Sequence, residues 1–200
     1  WFNNVWYSNG NNDPADPNQW WSVEGGAGPG VFNATIAQHT TNSNSEFIVV
    51  ESSNYVAQNN WTTLGKITIQ HGLTHGKLNP GTSIISVGGD VDNDGEIEFT
   101  DNGTFDANAG FLSDGTGTIT FHTLAGSGGT LQLAATDPDL GSSFTANEGT
   151  VEYDLSTGGT TQDIDEVTYN NLTIIGSAAN DVKKVNYATL DVDGDLTVTS

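Results

Sequence analysis

The 200-residue chain carries 25 acidic and 4 basic side chains, a formal net charge of −21, on a hydrophobic content of 34%. All the bases are lysines (Lys66, Lys77, Lys183, Lys184), which excludes nucleic acid and anionic membrane surfaces as partners, because phosphate recognition rests on clustered Lys and Arg. Cysteine is absent, which excludes disulfides and thiolate metal sites, and no apolar run is long enough for a transmembrane helix.

Residues 1–30 differ from the rest. They hold Trp1, Trp6, Trp20 and Trp21, together with Pro14, Pro17 and Pro29 and much Asn and Gly. They follow no period and predict an irregular cap. From Val31 onwards, short β-branched and aromatic runs alternate with Gly, Asn, Asp and Ser clusters. Phe47-Ile48-Val49-Val50, Ile67-Thr68-Ile69, Ile97-Glu98-Phe99, Thr118-Ile119-Thr120-Phe121, Leu131-Gln132-Leu133 and Val151-Glu152-Tyr153 are strand signals bounded by turn formers. No stretch keeps a 3.6-residue period, and 25 glycines penalise long helices. The fold class is all-β.

Strands this short, with turns this frequent, suit a right-handed parallel β-helix (a β-solenoid) over residues 31–200, with the Trp-rich cap over residues 1–30. Roughly 20–25 residues per coil predicts about seven to nine coils and a rod on the order of 35–45 Å long. A β-sandwich is the alternative, above all for residues 31–64, since sandwich strands run to about five or six residues. Leu196-Thr197-Val198-Thr199-Ser200 stops inside an alternating pattern. The chain therefore reads as part of a longer exported protein whose solenoid continues past residue 200.

An internal echo supports the solenoid. Ile67-Thr68-Ile69 returns as Leu172-Thr173-Ile174, and Ile85-Ser86-Val87-Gly88-Gly89-Asp90-Val91 returns as Leu190-Asp191-Val192-Asp193-Gly194-Asp195-Leu196, both at a separation of 172 − 67 = 105 residues. Fixed-distance similarity is how repeat architectures announce themselves. Gly103-Thr104, Gly117-Thr118, Gly129-Thr130 and Gly149-Thr150 each open an alternating run in the same way.

These residues also carry a family likeness. The run from Trp6 to Ser22, in which Asn11-Asn12-Asp13-Pro14 leads to Trp20-Trp21-Ser22, resembles the W-N-D-x-x-x-W-S opening of large exported surface proteins of Bacteroidota, with its halves further apart. Tyr169-Asn170-Asn171-Leu172-Thr173-Ile174 followed by Leu190–Val198 is similar to their F/Y-N-N-L-T-I … L-x-V-x-G-D-L-T-V unit, and Gly149–Tyr153 to the G-T-V-x-Y strand before it. The resemblance implies a β-solenoid segment of a giant adhesin, exported by the type IX route and used in attachment, gliding or filament building. It brings no catalytic residues.

The sharpest chemical motif is Asp90 to Asp101. Asp90, Asp92 and Asp94 at loop positions 1, 3 and 5, Gly95 at 6 and Asp101 at 12 follow the calcium-loop template. Against Ca2+ stands a solenoid turn whose Asx side chains bond their own backbone. His71 and His75 have the i, i+4 spacing of helical metal ligands, but Gly72 and Gly76 argue for a turn. Asp137/Asp139 and Asp163/Asp165 are carboxylate pairs of the kind glycoside hydrolysis uses, yet with 25 acids such pairs arise by chance. No Gly-x-Ser-x-Gly elbow is present. Trp6, Trp20 and Trp21 form either a stacking platform for sugars or an apolar plug in the open end of the solenoid.

The sequence thus points to a non-enzymatic segment of a secreted or cell-surface adhesin or filament. Its partners are surface glycans or further copies of itself, and its only candidate cofactor is Ca2+. The alternative is a glycan-binding module built on Trp6, Trp20 and Trp21.

Overall fold

The computed structural model describes residues 5–8, 13–15, 20–21, 42–113, 115–176 and 181–199. Within them the chain winds into a β-solenoid of about seven three-sided coils. The expected rod of stacked parallel coils is what the backbone forms, and the sandwich alternative falls away.

Two short strands precede the first full coil: β1 (Val5–Ser8) and β2 (Trp20–Trp21). Coil 1 comprises β3 (Glu46–Val49), β4 (Asn54–Val56) and β5 (Trp61–Thr63). Coil 2 comprises β6 (Lys66–Ile69), β7 (Lys77–Asn79) and β8 (Ile84–Val87). Coil 3 follows with β9 (Val91–Asn93), β10 (Glu96–Glu98) and β11 (Thr104–Ala107). Coil 4 has β12 (Phe111–Leu112), β13 (Thr118–Thr120) and β14 (Thr130–Leu133). In coil 5 the first side is reduced to a single bridge, Leu112 to Asp139, before β15 (Ser143–Thr145) and β16 (Thr150–Tyr153). Coil 6 has β17 (Thr161–Ile164), β18 (Thr168–Tyr169) and β19 (Asn171–Ile175). Coil 7 has β20 (Val182–Val185), β21 (Asp191–Val192) and β22 (Leu196–Thr199).

Each strand pairs in parallel with its counterpart one coil away, and among the described residues only β1 with β2 is antiparallel. On the third face the register runs Trp61, Ile85, Phe105, Leu131, Val151, Leu172, Leu196, in steps of 24, 20, 26, 20, 21 and 24 residues. At the usual strand spacing, seven coils give a stack on the order of 35 Å tall.

Period-2 alternation decides which side chains enter the stack. Phe47, Ile67, Val91 and Phe111 make the buried column of the first face. Tyr55, Leu78, Ile97 and Ile119 line the second. Trp61 to Leu172 line the third. Phe99 and Phe121 stack at a corner with ring centroids 4.4 Å apart and planes at 13°. No isolated coil is able to keep such a column dry, so each coil depends on its neighbours.

Glycines pave the corners because coils there lie too close for side chains. A Cβ on Gly149 would sit 2.1 Å from the Phe121 ring. Gly81, Gly103, Gly129 and Gly149 form one such column: the Gly103 N–H donates to the Gly81 carbonyl, and the Thr130 and Thr150 N–H groups donate to the carbonyls of Gly103 and Gly129. Gly117 belongs to a different corner, opening β13 on the second face, so the four Gly-Thr starts mark two corners.

The echo has a similar explanation. Ile67 pairs with Val91 on the first face, and Leu172 pairs with Leu196 on the third, each across 24 residues. The sequence repeats a one-coil unit, and the second copy sits on another face.

Within residues 1–30, β1 pairs in parallel with β3. Trp1 and most of that region lie outside the described residues, as do Asn11, Asn12 and Ser22. Leu196 is 53% exposed and Val198 68%, although their register partners Leu172 and Ile174 lie in or against the core.

Candidate functional site

Two of the three tryptophans proposed as a sugar platform have no open ring face. Trp6 lies on β1 and is 3% exposed; Trp20 is fully buried. Trp20 sits between the three walls of coil 1, edge-on to Phe47 and Tyr55 with centroids at 5.1 and 4.9 Å, and stacked on Trp61 at 5.4 Å. Its indole N–H donates to the Pro14 carbonyl at 2.9 Å. The rings fill the interior where the first coils begin, because a large apolar ring there removes more area from water than one left at the surface. The side chain of Trp21 lies outside the described residues.

The acids of the calcium-loop motif fall on β9 and on the turns beside it and after β10. A coil corner and two strands on different faces occupy the segment that a chelating loop would use. The Asp90 Oδ1 accepts the Gly110 N–H at 2.9 Å. Asp92 points outward from β9 and pairs with the Lys66 ammonium at 3.2 Å, in an open groove of about 350 Å³ on the first face. Glu46 approaches the same ammonium at 3.8 Å. Asp94 turns the corner between β9 and β10, its N–H donating to the Ile69 carbonyl and its own carbonyl accepting the Thr116 hydroxyl. Asp101 caps the next residue, accepting the Asn102 N–H at 2.8 Å. Among the described residues no three His, Asp or Glu side chains gather as a metal shell. Asp90 and Asp92 line the first-face groove together, while Asp94 and Asp101 lie at turns further along the coil.

The densest polar network lies elsewhere, at the junction of coils 5, 6 and 7. Tyr153 and Tyr169 share a buried hydroxyl–hydroxyl hydrogen bond of 2.7 Å. The Tyr169 hydroxyl donates to the Asp165 carbonyl at 2.7 Å, and the Tyr187 hydroxyl donates to the same oxygen. The Asp165 N–H donates back to the Tyr153 hydroxyl at 3.1 Å. Both carboxylate oxygens of Asp165 are also engaged, by the N–H groups of Leu140 (2.7 Å) and Glu166 (2.8 Å).

Burial sets the protonation chemistry of this junction. It pushes the phenols of Tyr153 and Tyr169 well above the ordinary tyrosine range and that of Tyr187 up to about 12. Burial also lifts the Asp165 carboxyl, with smaller pushes from Asp139 and Asp137, while the two N–H groups oppose the shift. Asp165 thus lies within the field of the Asp137/Asp139 pair on the neighbouring coil. Each of its carboxylate oxygens accepts a backbone N–H, so the network clamps three coils together.

A second polar column stands in the same coils. Gln162 is fully buried on β17, and its amide donates to the carbonyls of Leu133 (2.6 Å) and Ala135 (2.8 Å). Lys183, its register partner on β20, donates to the Gln162 Oε1 at 2.6 Å and to the Leu155 carbonyl at 2.7 Å. Burial lowers the Lys183 pKa from its ordinary value, opposed by Asp181 and Asp154. Sequence reading missed both columns. The available signal was a Tyr, a Gln or a Lys at an inward position of the alternation, visible only once strand and face are assigned.

His122 accepts the Leu124 N–H on its Nδ1 at 2.9 Å, and His39 lies outside the described residues. His71 and His75 stand together in the loop between β6 and β7. Asp163 bonds Asn186 on the next coil at 2.8 Å. No described helix is long and apolar enough to cross a membrane. Fold and site together define a β-solenoid whose polar groups tie coil to coil. The chain matches no family model, no curated protein and no solved structure.

Proposed function

We propose that the chain is a non-enzymatic spacer and contact segment of a large cell-surface or extracellular filament protein, of the kind its motifs resemble among exported surface proteins of Bacteroidota. The observation that carries this reading is the uninterrupted parallel register from coil 1 to coil 7 on the third face, with alternate residues such as Ile85 and Val87 or Leu131 and Leu133 buried inside. Such a stack converts sequence into length and into flat outer walls, which is what an attachment stalk needs. The walls carry ladders of short polar groups, such as Thr104, Thr130 and Thr150, suited to many weak contacts with a hydrated neutral surface. Strong net negative charge favours neutral glycans over polyanionic ones as that surface.

Beads coated with the chain test the reading. Retention under flow on neutral-glycan surfaces, competed by the soluble chain, is the expected result. Retention no better than that of albumin-coated beads, or release of reducing or unsaturated ends from a polysaccharide panel, overturns it.

A further inference from the structure

The corner joining β6 to β7 carries a loop, residues 70–76, that lengthens coil 2 without disturbing its register. The Gly76 N–H closes its neck by donating to the Gln70 carbonyl at 2.9 Å. The Ser52 N–H pins it to coil 1 by donating to the Thr74 carbonyl at 2.9 Å. His71 and His75 flank this pinned segment, and their ring centroids lie 4.6 Å apart with planes tilted by 58°. In a helix the i, i+4 spacing brings two imidazoles to one face; here a closed loop does the same. Glu51 lies against the loop, since a Cβ on Gly72 would fall 1.9 Å from its Oε2. Glycine at 72 is thus what lets the carboxylate rest beside the backbone next to His71.

We infer that His71 and His75 form a two-imidazole chelate for a borderline transition-metal dication, Zn2+, Ni2+ or Cu2+. Imidazole nitrogen suits these ions, whereas Ca2+ and Mg2+ demand oxygen. Metal–imidazole bonds of about 2.0–2.1 Å let one ion bridge neighbouring rings once their nitrogens turn toward it. Two ring nitrogens replace two of the ion's waters, and the closed loop has already met much of the ordering cost. Glu51 and the net charge of −21 add attraction for a dication. No third His, Asp or Glu of the described residues completes the shell, so the site is open and exchangeable, with water or a donor from another molecule in the remaining positions.

Calorimetric titration of the whole chain with ZnCl2, and separately with NiCl2, in buffer holding excess Ca2+ to occupy carboxylates, tests the site. One saturable site per chain is expected, lost in His71→Ala and in His75→Ala and retained in His122→Ala. On the unaltered chain, Zn2+ should shift the ring C–H resonances of His71 and His75 and leave those of His122 in place. That measurement decides the question even if a variant misfolds. Undiminished binding in either loop variant, absence of a saturable site in the unaltered chain, or unmoved His71 and His75 resonances overturns the proposal.

Discussion

Leu131 stands mid-column on the third face, fully buried, with Phe105 on one side and Val151 on the other. Leu131→Ala removes three carbons, a transfer loss of about 2.4 kcal/mol at roughly 0.8 kcal/mol per methylene. The strands above and below are fixed by their own parallel ladders and move little into the space. A cavity term therefore adds to the loss and brings the cost to about 3–5 kcal/mol. In a stack where coils touch only their neighbours, the damage should be local. Hydrogen exchange should lose protection first in β11, β14 and β16, and denaturant unfolding should shift to lower concentration. Gln132→Ala, one residue on and facing outward, loses only a hydrogen bond to Glu152 and should cost about 1 kcal/mol or less. Equal costs for the two substitutions, or a loss for Leu131→Ala below about 1 kcal/mol, would refute the dry-column account.

Gly149→Ala drives a methyl into the Phe121 ring, which is held in turn by Phe99, and should destabilise by about 1–3 kcal/mol in the same unfolding assay. Burial holds the Asp154 and Asp165 carboxyls above their ordinary range, so in the window starting near the unfolded value of about 3.9 the native state binds more protons than the unfolded chain. Stability then falls as pH rises through that window; the melting temperature should be higher at pH 5 than at pH 7, and a drop on acidification would contradict the assignment. Tryptophan emission should not respond to neutral oligosaccharides, because Trp6 and Trp20 are enclosed, and a saturable shift would return sugar binding to the entry region. Millimolar Ca2+ should change the melting temperature of Asp92→Ala and Asp94→Ala as it does that of the unaltered chain, since these acids do not converge on one ion.

Much of the architecture was legible because strand alternation is a local property. Phe47, Ile67, Ile97, Ile119, Leu131 and Val151 all fall on the inward side that the period-2 pattern assigns. Short strands between glycine-rich turns were enough to choose stacked coils over hairpins. Coil length was less legible, because corners absorb insertions: the loop at 70–76 and the turn around 122–129 lengthen two coils and leave the ladders in register. That is why the 105-residue echo crosses from one face to another.

Composition and alternation by themselves determined an acidic all-β stack with an aliphatic and aromatic interior, since both depend on side-chain chemistry and on neighbours one or two residues away. Which polar groups meet was decided only by tertiary structure. Winding the backbone around three faces leaves Asp90, Asp92, Asp94 and Asp101 short of a metal shell, and it brings Tyr169 and Tyr187 onto the Asp165 carbonyl with Tyr153 bonded to the Tyr169 hydroxyl and the Asp165 N–H. It also closes a loop so that His71 meets His75 without a helix. In a solenoid the neighbour that matters lies one coil away, some 20 to 26 residues along the chain on the third face, and no local pattern records that distance.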